Sequence, residues 1–357
     1  SGLSSAWALK FLWSPLVDRF GERRTWIRAA LLAMAASLLL LALFGAERPH
    51  LLWLALGVLA LASATQDIAI DAYTIGIVER GEEGPANAVR IVAYRGGLLL
   101  AGAGLLALAE PWGWRSVHAL AALLLLGMAL GLRAVPPIRV APELRRDWRG
   151  ALRTWARRGH VSGVLGFVLL YRLNDLVAAP MLKPFWVDRG ISKAQIALVS
   201  TGVGVLATLV GAALGGWAVV RLGIGRALLL FGLAALLPNA AYALAAAHPQ
   251  AGVWPVYAAS VAESFTGGLV ASAFLAFLMR ICERERAAVQ YALLTGLYAL
   301  AGRLLGSGSG LAVETAGYAP FFAATALLGL PALALLPAAF RWLHVVEGVG
   351  PRPAHAR

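Results

Sequence analysis

The sequence predicts an all-α integral membrane protein built from two six-helix bundles, and three observations support this fold class. Hydrophobic residues make up 60% of the 357 residues and charged residues only 14%, whereas soluble proteins average about 25% charged residues. Long apolar stretches follow one another with short connectors between them. Lys and Arg collect in alternate connectors, which is the pattern of a chain that crosses a bilayer repeatedly.

An α-helix needs about 20 residues to cross the hydrocarbon core, and eleven apolar stretches reach this length. Backbone polar groups must be paired inside lipid, so stretches of this length are predicted to be helices. The predicted spans are residues 1–18, 26–44, 51–77, 87–110, 115–134, 161–187, 193–221, 225–247, 254–280, 288–312 and 319–343.

The connectors fall into two sets that differ in positive charge. One set, which includes the C-terminal tail, holds 22 of the 31 Lys and Arg residues, and the alternate set holds 4. The positive-inside rule places the rich set in the cytoplasm, so the C-terminus is expected inside and Ser1 outside. Because these basic residues are spread between apolar stretches and form no single patch, the net charge of +13 does not indicate nucleic-acid binding.

An odd number of spans with an outside start suggests a 6 + 6 arrangement in which the first helix is missing. We therefore expect five of six helices in residues 1–134 and six helices in residues 161–343. The basic segment 135–160 is predicted to be a cytoplasmic linker with an amphipathic helix on the membrane surface, and residues 344–357 a cytoplasmic tail. This is the layout of a secondary transporter.

A charged loop motif occurs in both halves and predicts a conformational latch. Residues 14–24 read SPLVDRFGERR and residues 216–226 read GWAVVRLGIGR. Both resemble the loop pattern G-x-x-x-D-R-x-G-x-R-R of major facilitator transporters, although Ser14 departs from it and Val220 replaces the acid. A carboxylate near a helix end can hold one conformer by pairing with a neighbouring helix; the alternative is an Arg cluster that only sets topology. The predicted gating residues are Asp18, Arg19, Arg23, Arg24 and Asp71.

Ionisable residues also lie well inside the predicted spans, where a charge costs at least ~2.5–3.5 kcal/mol and usually faces the bundle interior. They are interpreted either as ion pairs that lock helices together, for which Arg172–Asp175 and Asp67–Arg95 are the candidates, or as a polar cavity for an anionic substrate. We favour the cavity for the cations, with neighbouring tyrosines that stack on sugar rings or simply pack. The predicted substrate-binding residues are Lys10, Tyr94, Arg95, Tyr171, Arg172 and Arg303.

A carboxylate that carries a proton is the second expected part of such a cavity, because burial disfavours its charged form. Glu263 is the first candidate, since no basic residue lies within one turn of it in sequence; Asp175 and Asp67 follow. Glycine-rich runs at residues 96–104, 211–215 and 306–310 are predicted to let helices approach closely.

Enzyme and metal chemistry find little support in the residues. The single cysteine, Cys282, excludes a disulfide framework and a Cys-based metal site. We find no paired His–Glu metal motif and no Ser/His/Asp set. We therefore expect no catalytic residues, no metal and no cofactor.

Three segments carry a family resemblance: residues 10–19 (KFLWSPLVDR), 63–73 (SATQDIAIDAY) and 170–175 (LYRLND). They resemble AmpG-type muropeptide permeases of the major facilitator superfamily, and the likeness extends over essentially the whole chain. The resemblance implies a fold of twelve helices and import of anhydromuropeptides with protons across a bacterial inner membrane, for peptidoglycan recycling. The implied partners are an anionic sugar-peptide, protons and the lipid bilayer, and the implied state is a monomer. The open alternatives are an acetyl-CoA or other anionic-metabolite transporter of the same fold and, beyond these, a membrane enzyme or a non-transporting sensor.

Overall fold

The computed structural model describes residues 5–20, 22–45, 48–138, 150 and 161–346, and within these ranges every regular element is a helix. This confirms the predicted all-α class. Most of the predicted linker 135–160 and tail 344–357 lies outside the described residues. The described helical stretches that are long and apolar enough to cross a membrane number nine: Arg23–Phe44, Pro49–Ile77, Glu83–Ala134, Val161–Asp188, Lys193–Leu222, Ile224–Ala247, Trp254–Ile281, Arg284–Ala316 and Tyr318–Leu343.

The predicted count of eleven spans is therefore not confirmed, and two places account for the difference. The predicted spans 87–110 and 115–134 fall in one stretch of 52 residues, which contains Pro111 and a non-helical Gly113 with φ 74°. Side chains disfavour positive φ and glycine does not, so the stretch consists of two helices that meet at Gly113. The predicted span 1–18 contains short helices interrupted by a 3-10 turn, Lys10–Leu12, and is not among the nine.

The described chain divides into two compact units. The first unit comprises residues 1–78, 93–155 and 282–297, and in it α3 packs against both α4 and α6. Its helices are α1 (Ser5–Leu9), α2 (Ser14–Arg19), α3 (Arg23–Phe44), α4 (Pro49–Ile77), the later part of α5 (Glu83–Leu99), α6 (Leu105–Gly131) and the beginning of α14 (Ala287–Gly306).

The second unit comprises residues 79–92, 156–281 and 298–357, and it contains the beginning of α5 and the end of α14. The two helices of this unit that contact each other most extensively are α10 and α13. Its other helices are α7 (Val161–Leu170), α8 (Leu173–Asp188), α9 (Lys193–Ile196), α10 (Gly204–Leu222), α11 (Ile224–Ala234), α12 (Leu236–Ala247), α13 (Trp254–Ile281), α15 (Ser309–Ala316), α16 (Tyr318–Leu328) and α17 (Leu330–Val346).

Glycines bring α10 and α13 into backbone contact. A Cβ atom on Gly211 would overlap the carbonyl oxygen of Phe265, and one on Gly268 would overlap the carbonyl oxygen of Thr208. The predicted close approach at residues 211–215 is thus confirmed. The predicted close approach is not seen at Gly96, where no atom of another element of the described chain lies within 4 Å of the Cβ position.

Three helix breaks in the second unit meet at Asn174. The chain leaves helical geometry between α7 and α8, where Arg172 has φ −120° and ψ 20°. The regular helix is also interrupted between α11 and α12 and between α16 and α17, although Ala235 and Gly329 keep helical dihedral angles. Asn174 Nδ2 donates a hydrogen bond of 3.1 Å to the carbonyl oxygen of Ala235 in the second break. Its Cγ lies 3.8 Å from the Cβ position of Gly329 in the third. Asn174 is buried, so these contacts pair its side-chain amide with the backbone of a neighbouring break.

Candidate functional site

Lys10 lies between two carboxylates in the first unit, and these three residues form what we call the ion triad. Its Nζ atom lies 2.5 Å from Asp67 Oδ2 and 3.7 Å from Asp71 Oδ2. The two aspartates are one turn apart on α4 and so share a face. The side chains of Lys10 and Asp71 are 6% and 4% exposed, and that of Asp67 is 41% exposed. The formal charge of the triad is negative, and Asp67 is its accessible member.

The ion triad changes how the Lys10 prediction should be understood. Sequence reasoning assigned Lys10 to a substrate anion, Asp67 to the proton and Asp71 to the gate. The structure brings these three residues together, because the 3-10 turn Lys10–Leu12 aims the lysine at α4. A lysine that already faces two carboxylates offers little charge to a third anion.

Asp18 binds the beginning of α14 within the first unit. Its carboxylate accepts hydrogen bonds from the backbone N–H groups of Ala288, at 3.3 Å, and Val289, at 2.9 Å. The first N–H groups of a helix lack partners inside the helix, and the helix dipole favours negative charge at this end. Asp18 is also 3.6 Å from Nη2 of Arg23, and both side chains are buried. We call Asp18, Arg23 and the first turn of α14 the latch.

Arg23 extends the latch through backbone carbonyl groups. Its Nη1 donates to the carbonyl oxygen of Ala72 at 2.8 Å, and its Nη2 donates to that of Arg284 at 2.5 Å. Arg284 in turn donates to the carbonyl oxygen of Val78, the residue that follows α4, at 2.7 Å. One guanidinium therefore ties the end of α4 to the turn that precedes α14.

The other two arginines predicted as gating residues lie outside the latch. Arg24 donates to the carbonyl oxygen of Val135 at 2.8 Å and lies 3.5 Å from the carboxylate of Glu22. Arg19 is exposed, and its guanidinium lies 5.1 Å from the ring centroid of Phe20. Of the four predicted gating residues in this motif, two belong to the latch and the other two, Arg19 and Arg24, do not.

The second unit contains an ion pair that sequence reasoning missed. Arg280 donates from Nε to Glu83 Oε1 at 2.5 Å and from Nη2 to Oε2 at 2.7 Å, and the backbone N–H of Gly81 also donates to Oε2. Two parallel N–H···O bonds are the strong, oriented form of an Arg–carboxylate pair. Glu83 opens α5 and Arg280 lies in the last turn of α13, so each charge also suits its helix end. Those positions were the available signal, but nothing in the linear pattern links two residues 197 apart.

Arg172 and Asp175 form an ion pair at the break between α7 and α8. Nη2 of Arg172 lies 3.4 Å from Asp175 Oδ2, and both side chains are largely but not fully buried. Asn174 Nδ2 donates to Asp175 Oδ1 at 3.1 Å, and the phenol of Tyr298 on α14 lies close enough to Arg172 to interact electrostatically. The helix break therefore gathers a cation, a carboxylate, an amide and a phenol.

Tyr171 packs in the core of the second unit. Its hydroxyl donates to the carbonyl oxygen of Leu228 at 2.7 Å, and its ring stacks on Phe274 at 5.4 Å between centroids. Only 3% of the residue is exposed. Of the two alternatives for this tyrosine, packing against neighbours agrees with these contacts better than stacking on a sugar.

The remaining predicted site residues are more accessible. Arg303 on α14 is exposed, Arg95 on α5 is half-buried, and Tyr94 beside it is 69% exposed. Glu263 on α13 is half-buried and acts electrostatically on the phenol of Tyr242. Among the described residues, no group of three or more His, Cys, Asp or Glu side chains is arranged to hold a metal ion.

Comparisons of the sequence find clear relatives. The Major Facilitator Superfamily profile matches residues 2–170. The anhydromuropeptide permease of Escherichia coli K12 is 33% identical over 349 residues, which cover 94% of this chain and 70% of that protein. A Rickettsia felis protein named putative transporter AmpG 4 is 28% identical over 354 residues, which cover 93% of this chain and 84% of that protein.

Comparisons of the structure find the same fold. A crystal structure of the E. coli fucose:proton symporter aligns with a TM-score of 0.74 at 14% identity, over 95% of this chain and 90% of that one. The proton:xylose symporter XylE aligns with a TM-score of 0.72 at 14% identity, over 93% and 82%. At this identity the likeness concerns the fold alone. The identity to the E. coli permease establishes that this multi-pass membrane protein belongs to the anhydromuropeptide permease family of the major facilitator superfamily.

Proposed function

We propose that this protein is a secondary transporter that imports anhydromuropeptides across a bacterial inner membrane by alternating access, coupled to protons. The E. coli relative is named for this substrate class, and the relatives named permeases or transporters support a non-enzymatic role. We place the C-terminus in the cytoplasm from the distribution of Lys and Arg. The proposed working form is a monomer in the lipid bilayer that binds one small anionic sugar-peptide. It uses two helical bundles, residues 1–134 and 161–343, joined by the linker 135–160 and followed by the tail 344–357.

The Arg172–Asp175 pair carries the proposal. A substrate carboxylate has the same charge and geometry as Asp175, so it competes with Asp175 for the guanidinium of Arg172. When the substrate takes Arg172, Asp175 is left buried without its ion partner, which costs several kcal/mol for a charged group. Proton uptake by Asp175 removes that cost. Substrate binding and proton binding are then linked through one arginine.

We propose Asp175 as the proton carrier, because its carboxylate lies 3.4 Å from Arg172, a cation that we assign to the substrate. We propose that Arg303 and Arg95 bind further anionic groups of the sugar-peptide. Lys10 already pairs with Asp67 and Asp71. We therefore propose that the ion triad, and not the substrate, is the partner of Lys10, and that the protonation of the triad changes during the transport cycle.

The latch and the Glu83–Arg280 pair are proposed to hold the conformer seen here. Each fixes the beginning of one helix, α14 for Asp18 and α5 for Glu83. Helix ends held by a few charge-assisted hydrogen bonds can be released as rigid elements. We propose that both contacts break when the transporter changes its side of access.

Uptake of labelled anhydromuropeptide into proteoliposomes, with and without an imposed proton gradient, tests the function. The expected result is uptake that accumulates only with the gradient and is lost in Arg172→Ala. The matched control is Arg221→Ala, an exposed arginine that stacks on Trp217 at 5.7 Å and should transport normally. Uptake that ignores the gradient would remove the proton coupling. Inhibition by acetyl-CoA in place of muropeptide would instead support the alternative substrate class.

Asp175→Asn separates proton coupling from substrate binding. An amide cannot release a proton, so this variant should exchange substrate across the membrane but fail to accumulate it. Glu263→Gln is the comparison, and it should keep accumulation. The reverse pattern would assign the proton to Glu263.

A further inference from the structure

A pocket lined by arginines lies at the beginning of α3, apart from the ion triad, the latch and the Glu83–Arg280 and Arg172–Asp175 pairs. It has a volume of about 220 Å³, and its walls come from the first two turns of α3 and from the 3-10 turn that follows α6. We call it the arginine pocket. Its lining residues are Arg24, Thr25, Arg28, Leu132 and Arg133.

The charge of this pocket is not balanced by the described chain. Arg24 has one carboxylate near it, that of Glu22 at 3.5 Å. Arg28 and Arg133 are exposed, and the ion pairs of the described residues include neither of them. Two of the three guanidinium groups also lie in the first turns of a helix of 22 residues, where the helix dipole repels cations and attracts anions. Like charges gathered at that end are most stable when an anion lies between them.

The position and size of the pocket define the anion. α3 is a membrane-span candidate that begins at Arg23, so its first turns lie at the depth of lipid headgroups. The connector between the predicted spans 1–18 and 26–44 belongs to the Lys- and Arg-rich set, which we place in the cytoplasm. Basic pockets between helices on that side suit anionic headgroups. The volume is below the roughly 300–1,000 Å³ of pockets for drug-sized ligands. A sugar-peptide is too large for it, whereas a single phosphate group fits.

We propose that the arginine pocket binds one phosphate-bearing anion through Arg28 and Arg133, with Arg24 at its inner wall. The planar guanidinium fork matches two phosphate oxygens, which makes arginine better suited than lysine to this task. The anion comes either from an anionic phospholipid of the inner leaflet or from free phosphate. This inference does not depend on the transported substrate.

Native mass spectrometry of the full chain, released from nanodiscs of phosphatidylcholine with or without phosphatidylglycerol or cardiolipin, tests the proposal. The expected result is one retained anionic lipid, with retention reduced about tenfold or more in the Arg28→Gln/Arg133→Gln double variant, since each lost charged hydrogen bond contributes about 1.5–3 kcal/mol. Arg221→Gln is the matched control and should retain the lipid. Both pocket residues are exposed, so the double variant should fold, and Arg28→Lys/Arg133→Lys should recover part of the binding.

A second arm identifies the source of the anion. Inorganic phosphate is titrated onto the protein in nanodiscs of phosphatidylcholine alone, and the thermal midpoint is recorded. A rise in wild type that is absent in the double variant, without retained lipid, supports the pocket with free phosphate as its anion. Equal lipid retention and equal phosphate response in wild type and double variant would overturn the proposal.

Discussion

Asp18 accepts a hydrogen bond of 2.9 Å from the backbone N–H of Val289, a residue 271 positions further along the chain. The bond joins the last turn of α2, which is part of the motif at residues 14–24, to the first turn of α14. Because Asp18 is buried and also pairs with Arg23, breaking this contact exposes a set of charged groups at once. The contact is therefore suited to hold one conformer and to release it as a whole.

Replacing Asp18 with Ala should expose Cys282. This residue, the only cysteine in the chain, is 8% exposed and precedes the turn to α14, and burial raises the pKa of its thiol well above the ordinary value. Removing a charged acceptor of two backbone hydrogen bonds costs about 1.5–3 kcal/mol, which corresponds to about tenfold or more in the opening equilibrium. The limiting rate of N-ethylmaleimide labelling at high pH measures this opening, because at a lower fixed pH the loss of the Asp18 charge would itself lower the pKa of the thiol and raise the rate. Glu110→Gln, an exposed carboxylate on α6, is the control, and equal rates in all three proteins would contradict the latch.

Replacing Lys10 with Met distinguishes an internal ion triad from a substrate cation. The variant leaves the buried carboxylate of Asp71 without this counter-charge, and breaking a buried ion pair typically costs about 3–5 kcal/mol. The thermal midpoint of the purified protein should therefore fall, and Lys10→Met/Asp71→Asn should recover much of the loss. If Lys10 instead binds substrate, the midpoint should stay near that of wild type while the KM for uptake rises.

Exchanging the charges of Glu83 and Arg280 tests the second contact that we assign to the observed conformer. Glu83→Arg and Arg280→Glu should each lower uptake and stability, because each places two like charges in a mostly buried position. The double exchange should recover part of both, although the backbone N–H of Gly81 then loses its acceptor. A double-mutant cycle on thermal midpoints gives the coupling. If the losses in thermal midpoint of the two single variants simply add in the double variant, the interaction between Glu83 and Arg280 does not contribute to stability.

The all-α class, the membrane environment and the contact role of residues 211–215 could be predicted from sequence because each depends on local composition or spacing. The pairing of charged residues could not. Lys10 was separated from Asp67 by 57 positions, and a 3-10 turn, which the apolar pattern does not reveal, decides where the lysine points. The number of spans is not confirmed, although the predicted boundary between spans 87–110 and 115–134 agrees with the position of Gly113, where two helices meet within one long stretch.

The pairing of Arg172 with Asp175 could be suggested from the sequence, but its structural setting could not. Three-residue spacing within a predicted helix was enough to suggest an ion pair, and the two side chains do lie 3.4 Å apart. The break between α7 and α8 was not predicted, although it brings Asn174 beside the pair and to two further helix breaks. The only feature of the sequence that indicated this arrangement is the polar side chain of Asn174 within an apolar stretch.

Two glycine substitutions of equal size should have opposite effects on stability. A methyl group on Gly268 overlaps the carbonyl oxygen of Thr208 on α10, and backbone atoms cannot move away without separating the two helices. Gly268→Ala should therefore lower the free energy of unfolding by about 1–3 kcal/mol or more, as expected for overpacking. Gly96→Ala meets no atom of another element of the described chain within 4 Å and should stabilise α5 by roughly 0.5–1 kcal/mol, since alanine favours a helix over glycine. Thermal or denaturant unfolding in the same detergent compares the two variants directly. A loss in both would indicate that Gly96 has a contact partner after all, and no loss in Gly268→Ala would show that α10 and α13 are less closely packed than described.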